Sequence, residues 1–146
     1  MPMALHIFAE KEGMDVQKLE KALEDARKKL FAIRKRRIHP QKDDKILTSW
    51  NGLMIAAFAK GYQAFGIQAY ADTARKATDF ILKNLKTFDG RLLRRYRQGD
   101  AAYPGYLDDY AFLIAGLLDL YEATFEVFYL KKAIELNEAM VDIFLG

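Results

Sequence analysis

Cysteine is absent from the 146 residues, which excludes a disulfide scaffold, a zinc–cysteine site and any thiol chemistry. Histidine occurs only as His6 and His39, too few and too far apart for a metal-ligand set. No glycine-rich phosphate loop of the P-loop or dinucleotide pattern occurs, so neither a metal nor a cofactor is expected. No apolar run reaches about 18 residues without a charge, and no membrane span is expected. The opening Met1-Pro2-Met3-Ala4-Leu5-His6 lacks the basic-then-apolar order of a signal peptide, and a cytoplasmic location is expected. Net charge is +3 with a pI of about 9.0, mildly basic. The basic residues between Arg27 and Arg37 interleave with apolar ones on a helix, which reads as a solvated face, and no nucleic-acid partner is expected.

What is present is helical periodicity. At 51% hydrophobic and 29% charged, the chain has the composition of one folded domain. After a leading segment over 1–14, residues 15–146 read as a single all-α domain. Val16, Leu19, Leu23, Ala26, Leu30 and Ile33 recur at three- and four-residue steps and predict a helix over about 15–38. Asp15 is its N-cap, and Pro40 forbids its continuation. Further helices are predicted over about 49–65, 69–86, 108–125 and 129–145, with Gly66 as a left-handed stop for the second. Residues 91–103 read instead as a short β-hairpin turning at Gln98-Gly99-Asp100.

The chain repeats itself. A shift of about 59 residues lays Ile55 on Ile114, Tyr62 on Tyr121, Ala64 on Ala123, Tyr70 on Tyr129 and Ala74 on Ala133. In each repeat the first helix is apolar nearly all round and the second is amphipathic, which predicts an inner and an outer layer. The expected architecture is helical-hairpin repeats of an incomplete α/α toroid.

Antiparallel neighbours then place the 39–46 loop and the 89–107 insertion at one end. That end gathers His39, Asp43, Asp44, Trp50, Asn51, Arg94, Arg95, Tyr96, Arg97, Tyr103, Tyr106, Asp108, Asp109 and Tyr110, while the other end has only short turns. Function concentrates on loops held by a rigid scaffold. Aromatic faces beside carboxylates suit sugars, whose C–H faces stack on a ring while hydroxyls reach the oxygens. Paired carboxylates also suit glycoside hydrolysis. Asp43, Asp44, Asp108 and Asp109 are the candidate catalytic groups, though each also suits helix capping or ion pairing. His39, Trp50, Asn51, Arg94, Arg95, Tyr96, Tyr106 and Tyr110 are the candidate sugar contacts. Trp50 fits equally well as the anchor of its helix, and His39 as a surface or capping group.

Two stretches resemble a known family. Arg37-Ile38-His39-Pro40 leads into Asp43-Asp44-Lys45-Ile46-Leu47-Thr48-Ser49-Trp50-Asn51-Gly52-Leu53. Pro104-Gly105-Tyr106-Leu107-Asp108-Asp109-Tyr110-Ala111 follows, then Gly116-Leu117-Leu118 and Leu120-Tyr121-Glu122. These are similar to the thioredoxin-domain-containing family that includes spermatogenesis-associated protein 20. The resemblance implies an α/α toroid like that of N-acylglucosamine 2-epimerase and the six-hairpin glycosidases. No Cys-x-x-Cys occurs, so redox chemistry of that family is not expected from this chain. The chain supplies about two hairpins where a full toroid needs six. It is expected to form part of a carbohydrate-active domain, with isomerisation or hydrolysis at or beside the anomeric carbon in an intact relative. The alternative is a non-catalytic interaction domain. Exposed inner helices are expected to pair into a homo-oligomer, a twofold dimer.

Overall fold

A computed structural model describes residues 4–146. The chain forms two compact units that part between Asp43 and Asp44. The first unit holds α1 (Leu5–Lys11) and α2 (Val16–Lys35), which pack on each other. Asp15 caps α2, accepting the Lys18 N–H at 2.9 Å. The sequence reading treats 1–14 as a leading segment; seven residues give too little periodicity to reveal α1.

The second unit runs β1 (Ile46–Leu47), α3 (Thr48–Phe65), α4 (Gln68–Asn84), β2 (Leu93–Arg97), β3 (Asp100–Pro104), α5 (Leu107–Thr124) and α6 (Val127–Phe144). The α3–α4 and α5–α6 pairs are helical hairpins, and α3 packs against α5 most extensively of all. The repeat holds to the residue: α5 starts and ends 59 positions after α3, and α6 starts 59 after α4. Apolar α3 and α5 therefore form one layer, and α4 and α6 flank it through their apolar stripes. Ile55, Ala59, Ala74, Ile81, Leu113, Leu117, Leu120, Ala133 and Leu136 fill the space between them. Each large aliphatic side chain buried here contributes roughly 1.5–3 kcal/mol.

Two glycines let α3 and α5 approach. A Cβ on Gly52 would stand 2.5 Å from the Phe112 carbonyl carbon, and one on Gly116 would stand 2.6 Å from the Gly52 carbonyl oxygen. The first hairpin turns at Gly66 with φ +66°. The second turns at the equivalent Phe125, also left-handed, with φ 57°. A bulky side chain is strained in that region. Phe125 is exposed, so its ring gives little packing in return. Phe125→Gly is expected to stabilise the chain by about 0.5–1 kcal/mol, read as a higher midpoint in urea; an unchanged or lower midpoint would contradict the strain.

The strands form a three-stranded antiparallel sheet in the order β1-β2-β3. Gln98 (φ 50°) and Gly99 (φ 88°) make the two-residue turn between β2 and β3, with both central residues left-handed as a tight hairpin prefers. Ile46 lies opposite Tyr96, and Leu47 opposite Arg95. That pairing joins the segment leading into α3 to the insertion between the hairpins.

Candidate functional site

The site is built where β2 crosses the first turns of α3 and α5. Three hydrogen bonds fix it. The Thr48 hydroxyl donates to the Leu93 carbonyl at 2.6 Å. The Leu92 N–H donates to the Tyr110 hydroxyl at 2.8 Å, and the Gly105 N–H donates to the Leu92 carbonyl at 2.7 Å. Tyr110 is 1% exposed, and its hydroxyl anchors the strand.

Asp109 is the centre of this anchoring. Its Oδ1 accepts the Ser49 N–H at 3.0 Å, and its Oδ2 accepts the Tyr106 N–H at 2.9 Å. Oδ2 also lies 3.3 Å from Arg94 Nη1. One carboxylate thus satisfies free N–H groups at the starts of both α3 and α5, and its charge suits both positive dipole ends. Leu47, the residue preceding α3, has no side chain that could do this. Asp109 is 0% exposed. A carboxylate closed off from solvent and held by three donors ties the two helix starts together.

Asp44 and Asp108 are surface groups tied to arginines. Arg94 Nη1 lies 3.5 Å from Asp108 Oδ1, and its guanidinium stacks 4.2 Å from the centre of the Tyr106 ring. Arg95 pairs with Asp100 at 3.1 Å and lies 5.1 Å from the Tyr103 ring centre. Arg97 Nε donates to Asp44 Oδ1 at 2.6 Å. Together Lys45, Leu47, Arg94, Arg95, Arg97 and Tyr103 line an open cleft of about 490 Å³. This falls within the range of about 300–1,000 Å³ usual for small-molecule sites.

The other expected contacts divide. Trp50 is 69% exposed in the first turn of α3, and Tyr106 is exposed just before α5. Tyr96 is half-buried with its ring edge-on to Phe80 at 5.1 Å, a packing role. Asn51 Nδ2 donates to the Leu47 carbonyl at 2.8 Å and so braces its own helix start. His39 Nε2 lies 3.2 Å from the Lys35 carbonyl at the end of α2, in the first unit, as does Asp43. Arg97 and Tyr103 belong to the polar gathering in the sequence, yet nothing in the pattern assigns them to a ligand. Lys45 and Leu47 join the cleft because β1 pairs with β2, a tertiary event that no local signal announces. Among the described residues no group of three or more histidine, aspartate or glutamate side chains is placed to hold a metal ion. No described helix is long and apolar enough to cross a membrane.

The class follows from the architecture: paired helices in an inner and an outer layer, carrying loops and a β-hairpin at one end, are hairpins of the α/α-toroid type. The crystal structure of a sugar epimerase from a ruminal bacterium superposes with a TM-score of 0.64 at 20% identity, covering 72% of this chain and 28% of that one. In sequence, the chain is 34% identical to human spermatogenesis-associated protein 20 over 152 aligned positions, 97% of this chain and 19% of that protein. The mouse protein of the same name matches at 34% over the same extent. An uncharacterized protein of Caenorhabditis elegans, B0495.5, is 40% identical over 134 residues, 86% of this chain and 18% of that protein. The chain belongs to the family that includes spermatogenesis-associated protein 20, and it spans about a fifth of the length of these curated relatives. No family model matches it.

Proposed function

We propose that this chain supplies a carbohydrate-binding wall to a protein with the fold of the sugar epimerases. The observation that carries the reading is the cleft lined by Arg94, Arg95, Arg97 and Tyr103 at the loop-bearing end of the helical layer. Guanidinium groups present several N–H donors in a plane and bridge neighbouring hydroxyls. An exposed tyrosine face accepts the C–H side of a sugar ring. Tyr103 is exposed and held at φ 65°, a strained backbone for an aromatic residue and one that clusters at ligand sites. In the whole protein the chemistry would be isomerisation or epimerisation at or beside the anomeric carbon.

A second reading, a scaffold without catalysis of its own, is favoured by the carboxylates. Asp44 and Asp108 are engaged by arginines and Asp109 is buried, so none stands ready as a general base. Binding separates the two readings. Trp50 is the only tryptophan and sits in the first turn of α3, three residues after Leu47 of the cleft, so its emission reports ligand there. A panel of mono- and disaccharides is expected to give saturable quenching. Arg95→Ala should weaken it about tenfold, the loss of one or two hydrogen bonds from a charged donor. Absence of saturation with every sugar would leave the scaffold reading standing.

A further inference from the structure

We infer that the sugar proposed for this cleft is an anionic one, bearing a phosphate ester or a carboxylate that sits on the arginines of β2; this rests on the carbohydrate reading and narrows its ligand. Among the described residues that line the cleft, Lys45, Arg94, Arg95 and Arg97 are cations and none is acidic. Guanidinium and ammonium groups donate hydrogen bonds and accept none. A sugar hydroxyl both donates and accepts, so a wall built for hydroxyls alone needs acceptors as well. An oxyanion only accepts, and a wall of donors matches it.

The carboxylates nearby stand outside the lining and orient the arginines. Asp108 and Asp109 both meet Arg94 at Nη1, 3.5 and 3.3 Å away. Asp100 meets Arg95 at Nη1, 3.1 Å away, and Asp44 meets Arg97 at Nε, 2.6 Å away. Each pair engages one nitrogen of a planar group that carries five N–H donors. The carboxylate fixes the fork, and the other nitrogens stand outside the pair. A second oxyanion then meets donors already set in place, with less side-chain entropy left to lose. It touches the lining cations, while the carboxylates act on it from further off and so more weakly.

Fold stability accounts for Arg94, which meets the buried Asp109. It does not account for Arg95. The Arg95 side chain is 22% exposed, whereas its partner Asp100 is 67% exposed. A pair with so exposed a partner contributes little to stability, and withdrawing most of a guanidinium from water has a cost. Arg95 is also placed over the Tyr103 ring, and Tyr103 is itself exposed. One strand and its hairpin partner thus present a cation and an aromatic face together, the first for the anion and the second for the sugar ring.

Isothermal titration calorimetry on the full chain with glucose, glucose 6-phosphate, glucuronate and inorganic phosphate tests this. Glucose 6-phosphate or glucuronate should bind at least about tenfold tighter than glucose, the size of one or two hydrogen bonds to a charged group. The tighter of the two names the source of the anion, phosphate ester or carboxylate. The margin over glucose should shrink as salt rises from about 0.01 to 1 M, since the screening length falls from about 30 to 3 Å. Arg97→Gln removes one cation at a partly exposed site, where helix content by circular dichroism should match the parent. It should cut the margin at least about threefold, and Arg97→Lys, which keeps the charge, should retain more of it. Glucose binding as tightly as both anionic sugars overturns this inference and leaves the carbohydrate reading standing. Inorganic phosphate binding as tightly as glucose 6-phosphate, or no binding by any of the four, overturns both. A margin that ignores salt, or that survives Arg97→Gln intact, overturns the placing of the anion on these arginines.

Discussion

Asp109→Ala is expected to destabilise the second unit by about 3–5 kcal/mol, the range for removing one partner from a buried charged pair. Three donors lose their acceptor at once: the Ser49 N–H, the Tyr106 N–H and Arg94. An N-cap alone is worth about 1 kcal/mol, and here one group serves two helix starts. Leu47 offers the buried Ser49 N–H no side-chain acceptor in its place. Asp109→Asn keeps an acceptor oxygen but loses the charge, and is expected to cost less than alanine. Urea denaturation monitored at Trp50 gives both values. An alanine cost below about 1 kcal/mol would mean that the carboxylate does not hold the two helices, since even a single lost cap reaches that size. Sugar quenching by Asp109→Asn at a temperature where it is folded is expected to equal that of the parent if the carboxylate serves the fold alone, and to be lost if it contacts the sugar.

Gly52→Ala carries the second large effect. The added carbon would lie 2.5 Å from the Phe112 carbonyl carbon and 2.6 Å from the Leu113 nitrogen. Both are backbone atoms of α5, so no side-chain rotation relieves the clash. The helices must separate, and the contacts of Ile55, Leu113 and Leu117 loosen together. Overpacking of this kind costs about 1–3 kcal/mol, occasionally more, and a backbone-to-backbone clash places Gly52→Ala at about 3 kcal/mol. Gly116→Ala meets the same constraint from the other side, 2.6 Å from the Gly52 carbonyl. Once one substitution has moved the helices apart, the second costs less. The double variant is therefore expected to fall short of the sum of the two singles, as neighbours sharing one contact do. Additive costs measured by urea denaturation would show that the two glycines act separately.

Much of this fold is legible in the sequence, because its helices are long and its repeat keeps side-chain size at contact positions. Ile55 and Ile114, or Ala74 and Ala133, align without any coordinates. Asp15 and Gly66 announce a helix start and a helix stop by local chemistry. Phe125 hides the equivalent stop, since its residue type disfavours the left-handed conformation that it adopts. The strand Ile46–Leu47 is invisible locally: two residues become a strand only when β2 lies beside them. The site is less legible for the same reason. An acidic residue at a helix start reads as a cap for that helix. That Asp109 also caps α3, sixty residues earlier in the chain, depends on two helices starting side by side. The cleft gathers Lys45, Leu47, Arg95 and Tyr103 through strand register, whereas the sequence shows only that polar and aromatic residues are dense there.

The measurement that bears most directly on the carbohydrate reading is an NMR titration of the arginine Nε–Hε signals with a neutral disaccharide. Arg94, Arg95 and Arg97 line the cleft, while Arg75 is held by Glu126 on the flanking helices and serves as an internal reference. The account predicts saturable shifts at the three cleft arginines with one common dissociation constant, and none at Arg75. Signals that stay fixed throughout, or that move at Arg75 as much as in the cleft, would contradict it.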